Sequence, residues 1–238
     1  MMRLKHLRKK FQSSAVVSTL MGLGLFGQSA NAQLITAPVA PENSRFWGAY
    51  LSLNEVDYEL ENNTSAEIDR KILGVDFNNP INEKISVFGH GGLIFDSELD
   101  PGTADDGKGL IFGGGLRASV FRTQGIEFFG YGLLDYSYEK LEVGDDNETI
   151  KLMELIAGGS ATFRGLDNLV PYAAVELVPF SDGEGELDAG NKIEFDIERD
   201  DFLGLKLGTF INLKGMFIRP EIALLHEQTF SIAFLSAF

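Results

Sequence analysis

The sequence predicts an all-β fold of antiparallel strands, and three observations predict it. Apolar residues alternate with small, polar or charged ones along most of the chain, which is the period of a strand with two unlike faces. The apolar runs are shorter than the roughly 20 residues that a membrane-crossing helix needs. The chain also opens with the layout of an export signal, and its 238 residues include no cysteine, which excludes a disulfide scaffold. With 35 acidic and 20 basic side chains the formal net charge is −15, which argues against a nucleic-acid partner because a phosphate backbone requires a basic footprint.

The export signal is read first. Arg3, Lys5, Arg8, Lys9 and Lys10 form a basic start without an acid, residues 15–26 are apolar, and Ala30-Asn31-Ala32 ends the segment. These are the three parts of a secretory signal peptide, 1–32, with cleavage expected after Ala32. Its apolar centre is about 12 residues long, too short to span a bilayer. Residues 33–44, with Pro38 and Pro41, read as a lead-in, and 45–238 as one β domain with no plug or second domain. Loss of the five signal-peptide bases moves the net charge from −15 to −20.

Ten strands are expected, near 45–55, 67–77, 84–95, 109–121, 126–138, 150–163, 170–179, 195–211, 215–225 and 229–238. In the fourth, Leu110, Phe112, Leu116 and Val120 interleave with Gly109, Gly113, Arg117 and Ser119. In the sixth, Met153, Leu155, Ala157 and Phe163 interleave with Glu154, Gly158, Ser160 and Thr162. Four connections are short, at 78–83, 122–125, 164–169 and 212–214. Four are longer and acidic, at 56–66, 96–108, 139–149 and 180–194, and that around His226-Glu227-Gln228 is tight. Ten strands of about 11 residues leave room for such turns and loops; eight or twelve strands are the alternatives.

Alternation alone fits a soluble sandwich as well as a barrel. The last residues separate the two: Phe230, Ile232, Phe234 and Phe238 alternate with Thr229, Ser231, Ala233 and Ala237, and the sequence stops on the Phe. This resembles the closing strand of small Gram-negative outer-membrane β-barrels, OmpA/OmpX-like in the broad sense, with no closer family indicated. The resemblance implies a transmembrane antiparallel up-and-down β-barrel in the cell outer membrane, with Phe230, Ile232, Phe234 and Phe238 read by the barrel-assembly machinery during insertion. It further implies short periplasmic turns, longer external loops, both termini periplasmic and an even strand count. Outer-membrane lipid and lipopolysaccharide are then the surroundings, and a monomer is expected.

On that topology Trp47, the only Trp, sits at the periplasmic end of the first strand, where interfacial aromatics gather. Pro220 falls on the lipid face and is expected to mark a bulge, because it cannot donate to the ladder. Parity turns Arg117, Lys206 and Arg219 inward together with His90, Asp76, Glu127, Asp135, Glu154, Glu176 and Glu221. These form a candidate lumen charge network, since ions in a narrow barrel must be paired. Six acids against three bases imply a partly wet lumen, protonated acids or held cations. The outer regions, 54–67, 96–108, 139–151, 180–201 and 225–229, hold 25 acids and 5 bases, so the charge is concentrated in an external rim able to attract divalent cations.

No catalytic residue, cofactor site or metal site is expected. Gly113-Gly114-Gly115 and Gly91-Gly92 lie inside strands with no following helix, which rules against a phosphate loop. The segment from Asp182 to Asp188 has Leu187 where a calcium loop needs Gly, and after the signal peptide only His90 and His226 remain for zinc. Omptin proteases are ten-stranded and carry external aspartates with a His at the barrel mouth. His226, Asp105 and Asp106 fall near that place, but the family's paired-Asp and Asp-x-His motifs are absent. The His–Ser arrangement of outer-membrane lipid A deacylases is absent too. A structural or surface-interaction role is expected, with a narrow cation-preferring pore as the alternative and a hydrolase third.

Overall fold

The computed structural model describes residues 45–60, 64–100, 104–143, 146–188, 192–199, 202–214, 216–225 and 228–237. The signal peptide, the lead-in, His226, Glu227 and Phe238 lie outside these residues. Eleven strand segments follow in chain order: β1 (Phe46–Leu60), β2 (Thr64–Pro80), β3 (Ile85–Asp100), β4 (Ala104–Arg122), β5 (Ile126–Val143), β6 (Asp146–Phe163), β7 (Leu169–Asp188), β8 (Lys192–Arg199), β9 (Leu203–Leu213), β10 (Met216–Leu225) and β11 (Gln228–Ala237). Each pairs antiparallel with its neighbours, and β1 pairs with β11 from Phe46 to Glu55, so the sheet closes on itself. The chain is a closed antiparallel ten-strand barrel, in which β8 and β9 share one position along β7.

The strand expected at 195–211 is therefore divided at its outer end. Below the division β9 lies between β7 and β10; above it β8 lies between β7 and the end of β1, where Tyr58–Leu60 pair with Arg199–Ile197. The β10–β11 hairpin stops beneath this contact, since its last pair with β1 is Glu55 to Gln228. Ten strands thus form the lower wall and eight the upper wall. β7 carries one extra residue relative to β6 between Leu177 and Phe180, where Pro179 has no N–H to donate. Further register shifts fall at Lys71/Ile72 between β2 and β3 and at Asp105/Lys108 and Ser119/Phe121 between β4 and β5.

The four longer acidic connections are mostly strand rather than loop. Period two runs on through them: Val56, Tyr58, Ile68, Leu141, Ile150 and Leu152 stay buried while Asp57, Lys140 and Glu142 alternate with them on the outside. Charge on one face is what made these segments look like loops. Pro220 also departs from expectation. Ile218 opposes Ile211 and Glu221 opposes Gly208, so the ladder is interrupted at Arg219 and Pro220 without any slip in register. The opposite short turns are held locally. Asn82 Oδ1 accepts from the N–H groups of Lys84 and Ile85, Thr123 Oγ1 accepts from the N–H of Ile126, and Lys214 takes a positive φ of 56°.

Outward side chains divide into two zones. Trp47, Leu73, Phe77, Leu93, Phe112, Leu134, Leu155, Val175, Leu207 and Phe234 belong to an exposed apolar belt around the wall. On β4 the belt runs from Leu110 to Val120, about 33 Å along the strand and about 25 Å along the axis at a 40° tilt, the height of a lipid-facing band. Beyond it the outward positions turn to carboxylates and lysines. The strands, up to 20 residues in β7, exceed the roughly 9–11 that crossing takes, and the excess builds this charged upper wall.

Candidate functional site

The inward face of the barrel holds the candidate site. All ten residues assigned to the lumen by parity are buried, His90 the most exposed of them at 6% and the other nine at 3% or less. Bulk water does not reach groups so enclosed, and each charge has to be met by the protein. Near the short-turn end, Glu127 takes Arg122 and Arg164, each at 2.5 Å, and accepts from Ser119 Oγ at 2.9 Å. Arg117 bonds Ser86 Oγ at 3.2 Å and stacks 4.8 Å over the Phe129 ring.

Four acids occupy the middle of the barrel. Arg219 pairs with Asp76 at 3.0 Å, His90 Nε2 lies 3.3 Å from Asp135, and Lys206 lies 2.8 Å from Glu176. Glu176 also accepts from Tyr131 Oη at 2.7 Å, and Glu221 accepts from Tyr172 Oη. Two of these contacts repeat one construction. Tyr131, Gly158 and Glu176 stand in register on β5, β6 and β7, as do Tyr172, Gly208 and Glu221 on β7, β9 and β10. Each tyrosine ring lies across the glycine of the next strand to reach the carboxylate one strand further. A Cβ on Gly158 would meet the Tyr131 ring at 2.5 Å, and one on Gly208 would meet Tyr172 Oη at 2.4 Å.

At the upper end Glu154 pairs with Arg199 at 2.7 Å, and Glu139 with Arg70, while Ser97 donates to Glu139 at 2.8 Å. Arg70 also donates to Tyr58 Oη at 3.3 Å. Above them Val56, Tyr58, Ile68, Leu141, Ile150, Leu152 and Ile197 pack into an apolar cluster. In this wall burial raises the Tyr58 hydroxyl above its ordinary pKa of 10.0 and the Glu148 carboxyl above 4.5.

The parity count of six acids against three bases omitted Arg70, Arg122, Arg164 and Arg199. Arg70 was visible, because it shares the face of Asp76 within the second expected strand. Glu139 lies one residue past the end expected for the fifth. Arg122 and Arg164 lie at short turns, and Arg199 follows an odd inward parity that changes before Lys206, so no single alternation through both residues identifies it.

Outside, the upper wall carries rows of like charge. Glu55 opposes Asp69, which opposes Glu98; Asp57 opposes Glu67. Glu55, Glu67 and Asp69 each place a carboxylate oxygen within 4.8 Å of the others. Between β6, β7 and β8 lies a groove of about 250 Å³, bordered by Lys151, Glu184, Glu186, Glu194, Phe195 and Asp196. Of the residues expected to be read by the barrel-assembly machinery, Phe230, Ile232 and Phe234 face outward, between the buried Thr229, Ser231, Ala233 and Leu235.

No protein-family model and no curated protein sequence matches the chain. Among solved structures, the outer membrane protease OmpT from Escherichia coli matches with a TM-score of 0.56 at 9% identity, over 87% of this chain and 99% of that one. The translocator domain of the autotransporter NalP from Neisseria meningitidis gives 0.44 at 11% identity, over 99% and 96%. An outer membrane channel from Pseudomonas putida F1 gives 0.45 at 8% identity, over 87% and 100%. At such identity the likeness to OmpT concerns the fold and not the chemistry. Ten closed antiparallel strands, an apolar belt of bilayer height and an ion-paired interior make this chain an outer-membrane β-barrel in fold.

Proposed function

We propose that the protein is a monomeric, non-enzymatic barrel of the outer membrane whose lumen is closed and whose acidic upper wall, on the external side, is its working surface. The role is structural or surface-interacting. The observation that carries it is the enclosure of the lumen: Asp76, Asp135, Glu154 and Glu176 are each 1% exposed or less and engaged with Arg219, His90, Arg199 and Lys206, beneath an apolar cluster. Carboxylates so enclosed and already engaged by neighbouring basic groups offer little to a hydrated cation. The unlike zones of the outer face support the rest. The belt takes outer-membrane lipid, and the carboxylate rows attract divalent cations and the lipopolysaccharide that such cations bridge. The barrel-assembly machinery is the partner during insertion.

Purified full-length barrel in a planar bilayer tests this reading. The membrane is expected to stay silent under applied voltage. Discrete cation-selective conductance steps that shrink in Glu154→Gln or Glu176→Gln would overturn it in favour of a narrow pore. A peptidase or lipid-hydrolase activity abolished by His226→Ala would overturn it in favour of an enzyme.

A further inference from the structure

Along the outer face of β4 and β5 the chemistry changes in one order. Leu116, Phe112 and Leu110 on β4 and Leu134, Tyr136 and Tyr138 on β5 lead up to Lys108 and Lys140, with the Tyr136 and Phe112 rings 5.2 Å apart. Apolar, then aromatic, then basic is the order met at the edge of a bilayer, where tyrosines stand among the headgroups and lysines reach past them. Lys108 lies two residues beyond Leu110, the top of the belt on β4, and so about 5 Å higher along the axis at the same tilt. That is the level of lipid phosphates.

Lys108 and Lys140 are exposed and stand directly opposite each other in the ladder. Like charges so placed, with Cβ atoms about 5 Å apart, repel and weaken the strand pair. Other lysines just above the belt are matched to acids, Lys71 to Asp96 and Lys151 to Glu184. Neither Lys108 nor Lys140 forms an ion pair among the described residues. Glu142, the next outward residue of β5, stands opposite Asp105 rather than opposite either lysine. The two ammonium groups thus make a positive focus at the foot of an acidic wall, and an anion between them removes their repulsion.

We propose that Lys108 and Lys140 clamp the phosphate of an outer-leaflet lipid, whose acyl chains lie on Leu110, Phe112 and the belt beneath. Two ammonium groups suit a phosphate monoester, which carries nearly two negative charges at neutral pH. The contact is direct, whereas the carboxylate rows reach phosphorylated lipid only through a bridging divalent cation. A lipid rather than an acidic protein is the occupant, because the pair adjoins the belt below while the acids of the upper wall repel an acidic partner from above. The inference rests on the upper wall being the external side, as in the function proposed above, and not on the lumen being closed.

Native mass spectrometry of the full-length barrel in neutral detergent with EDTA, titrated with bisphosphorylated lipid A, tests it. Saturable binding of one lipid is expected. K108Q/K140Q should bind about tenfold more weakly or worse, as the loss of two charge-assisted hydrogen bonds implies, while K84Q at the opposite rim should match the parent. Dephosphorylated lipid A, with the same chains, should lose as much as the double variant. In urea the phosphorylated lipid should raise the midpoint of the parent and not that of K108Q/K140Q, whose midpoint without lipid should equal or exceed the parent's because the repulsion is gone. Equal affinity of parent and double variant, or for the two forms of the lipid, would overturn the proposal. Binding abolished by EDTA would overturn it in favour of cation bridges on the carboxylates, full displacement by millimolar inorganic phosphate in favour of a free-anion site, and equal affinity for phosphatidylglycerol in favour of general attraction to anionic lipid. The bilayer recording probes the lumen alone, so an open pore would defeat the closed lumen without altering this titration.

Discussion

Replacing Lys206 by Met strips one ion from a buried pair while keeping most of the volume of the stem. Lys206 Nζ lies 2.8 Å from Glu176 Oε2, with the two side chains 1% and 0% exposed. At an effective dielectric of about 20, unit charges at that distance attract by about 6 kcal/mol, a gain largely offset by the desolvation of both ions. In Lys206→Met the carboxylate keeps the hydroxyl of Tyr131 at 2.7 Å but loses its counter-ion. A buried charge left in that state costs about 3–5 kcal/mol, or about two to three and a half decades in the folding equilibrium. Adding Glu176→Gln removes the orphaned charge, so the double variant should recover most of the loss. Urea unfolding in lipid vesicles at neutral pH, followed by the fluorescence of the single Trp47, measures both. A loss below about 1 kcal/mol in the single variant, or a double variant less stable than the single, would refute the ion-paired lumen.

Two further outcomes are expected from the same assay. Gly158→Ala places a Cβ 2.5 Å from the Tyr131 ring and 2.6 Å from the carbonyl oxygen of Val175; it should displace the ring, break its bond to Glu176 and cost roughly 2.5–6 kcal/mol. Glu148→Gln reports on pH: burial raises this carboxyl above its ordinary 4.5, so the folded state holds the proton more tightly and ionisation weakens the fold as pH rises through the raised value. The variant should therefore match the parent below about pH 4 and exceed it in urea midpoint at neutral pH; an equal advantage at both would refute burial as the cause.

Much of the barrel is legible locally. A strand shows its two faces with period two, so Asp76, His90, Glu127 and Glu221 are assigned inward and Leu73, Phe112 and Phe234 outward from the sequence around each of them. The same local character misleads where a face changes chemistry without changing period. In β5 the outward positions pass from Leu134 to Lys140 and Glu142 while Leu133 and Leu141 stay buried, and polarity on one face imitates the end of a strand.

Local alternation carries the fold class and the inward direction of ten titratable residues, and it favours ten strands over eight or twelve, because side-chain direction in a strand depends on neighbours one and two residues away. Only the tertiary structure decided which charge meets which. The register of Tyr131, Gly158 and Glu176 spans three strands, Arg219 and Asp76 are brought together by barrel closure, and the division between Arg199 and Leu203 sends β8 to β1 above a ten-strand wall. Those outcomes depend on bulges and closure. One inserted residue near Pro179 reverses every later face of β7, and nothing within a few residues of Arg199 reveals it.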